Sequence, residues 1–150
     1  MLLMKPTDIQ KQYRLIHDVY VLMDYGDTAV LSEYELTASQ MSVLRQLDDR
    51  EGRRLTTISE RVMRSKSAIT RIIDILEAKG LVSRVGDPED RRAQRVVLTS
   101  KGTRFREEVN RKHLHSLDGR FNVLEESEQA ALMNLLNKLR VGLVEYLNPK

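Results

Sequence analysis

Apolar residues recur through positions 56–76 at the three- and four-residue intervals of a helix, and the recurrence breaks once. Ile58 and Val62 share one face of a short helix that Thr56 is placed to cap. Met63 and Arg64 make a turn. Ser65 then caps a second helix, in which Ala68, Ile69, Ile72, Ile73 and Leu76 form the buried stripe. Gly80 ends it, as glycine does where a helix closes in the left-handed conformation. The period then changes. Segments 81–85 and 95–98 are short and β-branched and read as strands. Between them, 86–92 has the composition of a turn and carries arginines on its descending limb. Two helices joined by about three residues and followed by a hairpin predict a helix-turn-helix with a wing.

The flanks read as helices. Pro6 marks the entry to the first, where Thr7 and Gln10 have capping-box spacing and Ile9, Tyr13, Ile16 and Tyr20 line up, thickened by Leu15, Val19 and Leu22. Segment 24–35, which contains Gly26, reads as a loop or frayed turn. Thr37 and Gln40 repeat the capping box, with Met41, Val43, Leu44 and Leu47 as the buried face. The charged stretch 48–54 is a surface turn with room for a short edge strand. After the wing, Thr99 caps a long helix reaching about Gly119, with Phe105, Val109 and Leu117 on one side. Glu125, Glu126 and Glu128 favour another helix start, since carboxylates there meet the positive end of the helix dipole. Leu132, Leu135, Leu136, Leu139, Leu143 and Leu147 form its stripe, stopped by Asn148 and Pro149.

Composition narrows the class. Among the 150 residues, 41% apolar and 31% charged content fit a folded domain. No apolar run approaches the ~18–20 residues that span a bilayer, and no secretory leader pattern opens the chain, which points to the cytoplasm. The absence of cysteine excludes disulfides, thiol sensing and thiolate metal sites. Charge is unevenly placed. From Arg53 to Arg106 there are 14 Lys and Arg against 6 Asp and Glu, net +8, leaving 11 against 16, net −5, elsewhere. The positive charge lies on the segment that periodicity alone marks as helix-turn-helix and wing, as expected of a surface facing a polyanion.

The run SKSAITRIIDILEAKGLV resembles the recognition helix of the MarR (multiple-antibiotic-resistance regulator) family, and DPEDRRAQRVVLTSKG resembles its wing closing into the next helix. Leu36-Thr37-Ala38-Ser39-Gln40 with Val43 and Leu44 is similar to the opening of that family's second helix, whereas Met63 stands where the family's turn often has a small residue. The resemblance implies a mainly α fold with a small β-hairpin wing, the winged helix-turn-helix core being flanked by N- and C-terminal dimerisation helices. Residues 36–102 form the DNA-binding lobe; 1–35 and 103–150 form a helical lobe intertwined with that of a second subunit. The apolar surplus of the end helices agrees, although a monomer whose end helices pack on each other would also bury it. Two copies would read a pseudo-palindrome on double-stranded DNA, their recognition helices about one turn apart.

Ser65, Lys66, Ser67, Thr70 and Arg71 occupy the end of the recognition helix that enters the major groove. Ser65 serves equally well as a cap. Thr70 and Arg71 point away from the apolar face, and which of them meets a base is left open. In the wing, Arg92 suits the minor groove, whose narrow stretches concentrate negative potential, and Arg91 suits a phosphate. Arg84 and Arg95, on the strands, are further phosphate candidates. For Asp90 the resemblance implies a bidentate pair that orients a neighbouring arginine. It also implies an effector pocket where the dimer helices meet the DNA-binding lobe, with His17, Tyr20 and Met41 as lining and a small phenolic or anionic ligand. His113 and His115 lie two apart on a helix and chelate poorly, so no metal site is expected. Neither a Gly-rich phosphate loop nor a catalytic histidine spacing is present, so no enzyme is expected. The reading is a ligand-responsive repressor without cofactor; a winged-helix module that contacts protein instead of DNA is the alternative.

Overall fold

The computed structural model describes residues 6–148, apart from the side chains of Pro6 and Thr7. The Thr7 capping box and the Pro149 stop therefore lie outside the described residues. The elements run α1 (Pro6–Ser32), α2 (Ala38–Gln46), β1 (Arg53–Arg54), α3 (Leu55–Arg61), α4 (Lys66–Ala78), β2 (Val82–Gly86), β3 (Gln94–Leu98), α5 (Ser100–Phe121) and α6 (Glu126–Leu147). The chain divides into two compact units, one ending at His113 and the other starting at Leu114. No helix among the described residues is long and apolar enough to cross a membrane.

In the first unit the core gathers one stripe from each helix and one face of the sheet. Leu31, Met41, Leu44, Ile58, Ile69, Ile73, Leu76, Val82, Val96 and Val109 are all buried. Of the loop expected at 24–35, residues up to Ser32 are instead the last turns of α1, which passes straight through Gly26, and only 33–35 form a turn. A glycine inside a helix costs ~1 kcal/mol, and burial of Val30 and Leu31 on the core exceeds that. The next tie is polar. His113 Nε2 on α5 lies 2.9 Å from Asp27 Oδ1, and Arg45 Nη2 on α2 is 3.5 Å from the other ring nitrogen, so one imidazole joins three helices.

Local signals explain most boundaries. Thr37 and Gln40 form the expected capping box at 3.2 and 2.9 Å, and Ser65 Oγ accepts from Ala68 N–H at 3.3 Å. Gly80, at φ +71°, closes α4 as Leu81 N–H donates to Leu76 O at 2.9 Å. Thr56 is not the cap of α3: the helix starts at Leu55, and the capping position is Arg54, two residues before Thr56, whose side chain makes no cap bond. The reason is β1, which pairs Arg53 with Val96 and Arg54 with Arg95 and delivers the chain directly into the helix. Sheet order is β1-β3-β2, antiparallel throughout. The turn between α3 and α4 places Met63 at φ +51°, the left-handed region that glycine favours, with its side chain in solvent.

A close approach joins α5 to the strand entry. Thr99 Oγ1 caps α5 by accepting from Gly102 N–H at 2.9 Å and donates to Gly80 O at 2.7 Å. Lys101 Nζ donates to Lys79 O at 2.7 Å. Gly102 is buried where a Cβ would stand 1.8 Å from Leu81 O. The second unit holds the end of α5, a short turn and α6, whose start is fixed by a Glu125–Glu128 capping box. No residue of α6 is buried, and Leu135, Leu136, Leu139, Leu143 and Leu147 face solvent in the single chain, as do Ile9, Tyr13, Ile16 and Tyr20 of α1.

Gly102→Ala forces α5 away from β2 against backbone, not a yielding side chain. It is expected to cost about 3 kcal/mol, the upper end for overpacking, read as a drop in the chemical-denaturation midpoint. An unchanged midpoint would refute the contact.

Candidate nucleic-acid interface

The two halves of α4 differ in charge. Its opening turns carry Lys66 and Arg71, both exposed and without a protein partner among the described residues. Its second half carries Asp74 and Glu77, and these hold Arg84 of β2: Arg84 Nη2 donates to Asp74 at 2.6 Å and Nη1 to Glu77. The Asp74 hydrogen bond, with both carboxylates adding charge, raises the Arg84 pKa above its ordinary value. The hydroxyls at the helix start are engaged locally: Ser65 Oγ and Ser67 Oγ are 3.2 Å apart, and Thr70 Oγ1 donates to Lys66 O at 3.0 Å. All three remain at the surface. Arg64, in the turn before Ser65, is exposed as well, and the sequence reading passed over it.

The wing is built on Asp87, whose side chain is fully shielded from solvent. Arg54 reaches it from β1 with Nε at 2.5 Å and Nη2 at 3.0 Å, and Arg95 from β3 with Nε at 2.8 Å. Its remaining capacity is filled by the Glu89 and Asp90 N–H groups, at 2.8 and 3.1 Å. The Arg54 hydrogen bond, then that of Arg95, holds the Asp87 carboxyl far below the usual carboxylate range. Asp48 shapes the approach to β1 in a related way, one oxygen accepting from the N–H groups of Arg50, Glu51 and Gly52. The bond from Gly52, followed by that from Arg50, lowers its pKa.

Three expectations change. Asp90 forms no bidentate pair: it accepts from the backbone N–H of Arg92 at 2.9 Å, and the Arg92 guanidinium is 4.0 Å away. The bidentate carboxylate is Asp87, and its partner is Arg54, an arginine the sequence reading did not single out. Arg84 and Arg95 do not stand unpaired on the strands, since their guanidiniums are engaged with acids within the fold. Arg91 and Arg92 are exposed, Arg92 almost wholly, with 96% of its side chain in solvent. His17, Tyr20 and Met41 do not come together in the single chain, because Met41 lies in the core at 1% exposure while His17 and Tyr20 stand in solvent on α1.

A helix-turn-helix whose second helix is followed by a hairpin, with a short strand before the first helix completing the sheet, defines the winged-helix class, which presents a recognition helix and a hairpin to a duplex. The MarR family model matches residues 36–93. The HTH-type transcriptional regulator YsmB of Bacillus subtilis is 30% identical over 134 residues, 89% of this chain and 90% of its own length. Among solved structures, a mutant Escherichia coli MarR complexed with operator DNA matches with TM-score 0.73 and 28% identity, over 88% of this chain and 95% of that one. AbsC, a MarR family transcriptional regulator from Streptomyces coelicolor, matches with TM-score 0.77 and 25% identity, over 95% and 98%. The chain belongs to the MarR family of HTH-type transcription regulators.

Asp87→Asn leaves two guanidiniums on a neutral amide and is expected to lower the melting temperature at neutral pH by several degrees, whereas Asp90→Asn changes it little. The folded pKa of Asp87 is depressed, so its contribution is fully present above the unfolded value of 3.8 and is lost as pH falls below that. Between pH ~4 and ~2 the wild type should therefore lose more stability than Asp87→Asn. Parallel acid limbs in denaturant titrations would contradict this.

Proposed function

We propose that this regulator binds a pseudo-palindromic operator as a homodimer in the cytoplasm, placing α4 of each subunit in the major groove and each wing against the adjacent minor groove. The observation that carries this reading is the sorting of cations. Arg54, Arg84 and Arg95 are spent on acids inside the fold. Arg64, Lys66, Arg71, Arg91 and Arg92 stand exposed on the turn, the start of α4 and the wing. Exposed cations that no acid holds closely, Asp90 coming only within 4.0 Å of Arg92, are the groups that displace counterions from a duplex. The operator complex of the related Escherichia coli MarR supports the same assignment. Arg71, free and long enough to fork onto a guanine edge, is the best base reader; Ser65, Ser67 and Thr70, being tied locally, suit phosphates. Arg92 enters the minor groove and Arg91 meets the backbone.

Pairing is supported by the uncovered faces of α1 and α6, whose leucines, isoleucines and tyrosines would be costly to leave in water. The regulator acts as a repressor whose release follows from a small phenolic or anionic effector. Such a ligand, bound where the subunits meet, need only disfavour the one-turn spacing of the two α4 helices; a coupling of ~1–3 kcal/mol lowers affinity several-fold to a hundred-fold. His17 and Tyr20, exposed on α1, are available to it, whereas Met41 acts only through the core.

A gel shift on the DNA upstream of its own gene, at two salt concentrations, tests the reading. Binding should weaken steeply with salt, and sedimentation should show two subunits. Arg71→Ala is expected to cost ~1–3 kcal/mol and relax preference at one base position, whereas Arg92→Ala should weaken binding most on A·T-rich flanks. A single-subunit species, or indifference to duplex at low salt, would defeat it.

A further inference from the structure

A cleft of about 540 Å³ opens between the first turn of α3 and the descending limb of the wing, lined by Arg54, Thr56, Arg91, Arg92 and Gln94. Its walls are fixed against each other, because Arg54 at the root of α3 and the loop of the wing both close on Asp87. The limb that carries the exposed arginines is held too: Ala93 N–H donates to Asp90 O and Asp87 N–H to Ala93 O, at 2.9 and 3.1 Å. The acids beside this wall are engaged: Glu89 with Arg54 at 3.3 Å and Arg95 at 3.8 Å, and Asp90 with the Arg92 N–H at 2.9 Å, its carboxylate 4.0 Å from the Arg92 guanidinium. Thr56, displaced from its expected capping role, is exposed, and its hydroxyl makes no hydrogen bond among the described residues; Gln94 is exposed beside it. The result is a rigid, cation-walled slot with neutral donors on both sides.

We infer that this slot seats the sugar–phosphate strand that divides the two grooves, with Thr56 and Gln94 donating to a phosphate flanked by Arg91 and Arg92. The inference rests on the reading of α4 and the wing as groove-facing. On a duplex the major groove and the adjacent minor groove are separated by one phosphodiester strand. A protein that places a helix in one and a hairpin tip in the other straddles that strand, and the surface between helix and hairpin must meet it. Here that surface is the Thr56–Gln94 slot. Contacts of this kind carry no sequence information; they set the register in which α4 and the wing meet the bases.

The test uses the full-length protein and a duplex of random sequence. Thr56→Val removes a neutral donor, so affinity should fall about five- to tenfold while the slope of log affinity against log salt stays unchanged. Thr56→Glu adds an anion against Arg91 and Arg92, so affinity should fall further and the slope should shrink by about one per subunit. Melting curves confirm that each variant is folded, and the Thr56, Ala93 and Gln94 amide resonances of the wild type should move on adding duplex. If the wild type ignores duplex, the groove-facing reading fails and the inference with it. If the wild type binds with a steep salt dependence, yet both variants bind equally well and those resonances stay still, the slot is overturned and the reading stands.

Discussion

A carboxylate removed from water must be matched group for group, and Asp87 is: two guanidiniums and two backbone amides fill its oxygens. Breaking such a set by removing one partner costs far more than the set contributes over an apolar replacement. The geometry of the winged unit depends on this one group. β1 has only two residues, and a β2–β3 hairpin alone would be marginal in water. Through Arg54 and Arg95, Asp87 ties the strand that leads into α3, the central strand and the wing loop into one body. The wing is thereby aimed relative to the helices.

That commitment also decides which cations face outward. A basic stretch read as a sum of charges does not separate arginines that hold the protein together from those left for a partner. The structure separates them by neighbours. Arg84 is claimed by Asp74 and Glu77 on the same helix whose opening turns carry Lys66 and Arg71. Acids at the far end of α4 therefore brace the hairpin, and the free positive charge concentrates at the near end. A helix in a groove must have such a division if its exposed end is to be attractive to phosphate while its other end stays anchored.

Features carried by neighbours in sequence were legible from the sequence. The Thr37–Gln40 box, the Ser65 cap, the Gly80 stop and the Glu125 start each involve residues within a turn of one another, and so does the period of the α4 stripe. Features set by distant partners were not. Thr56 looked like a cap because nothing in a two-residue strand announces that Arg54 will pair with Arg95. Gly26 looked like a break because the burial that carries α1 past it comes from Val30 and Leu31 meeting another part of the chain. Asp87 and Asp90 sit in one loop with equal claims on an arginine, and only the fold shows that Asp87 is enclosed. The burial of Met41 was hidden for the same kind of reason: helical position places it on a face, but tertiary packing determines that the face is core.

The junction of α4 with α5 has a mechanical consequence. Thr99 and Lys101 bond the last carbonyls around Gly80, and Gly102 lies flush against Leu81. The last turn of one helix is therefore welded to the first turn of the other. A helix of 13 residues is ~20 Å long, so tilting the weld by ~5° sweeps its free end by ~2 Å, more than half the length of a hydrogen bond. Any rotation of α5 that carried α4 with it would thus displace the start of α4 against α2 and α3, on which Ile69 is packed.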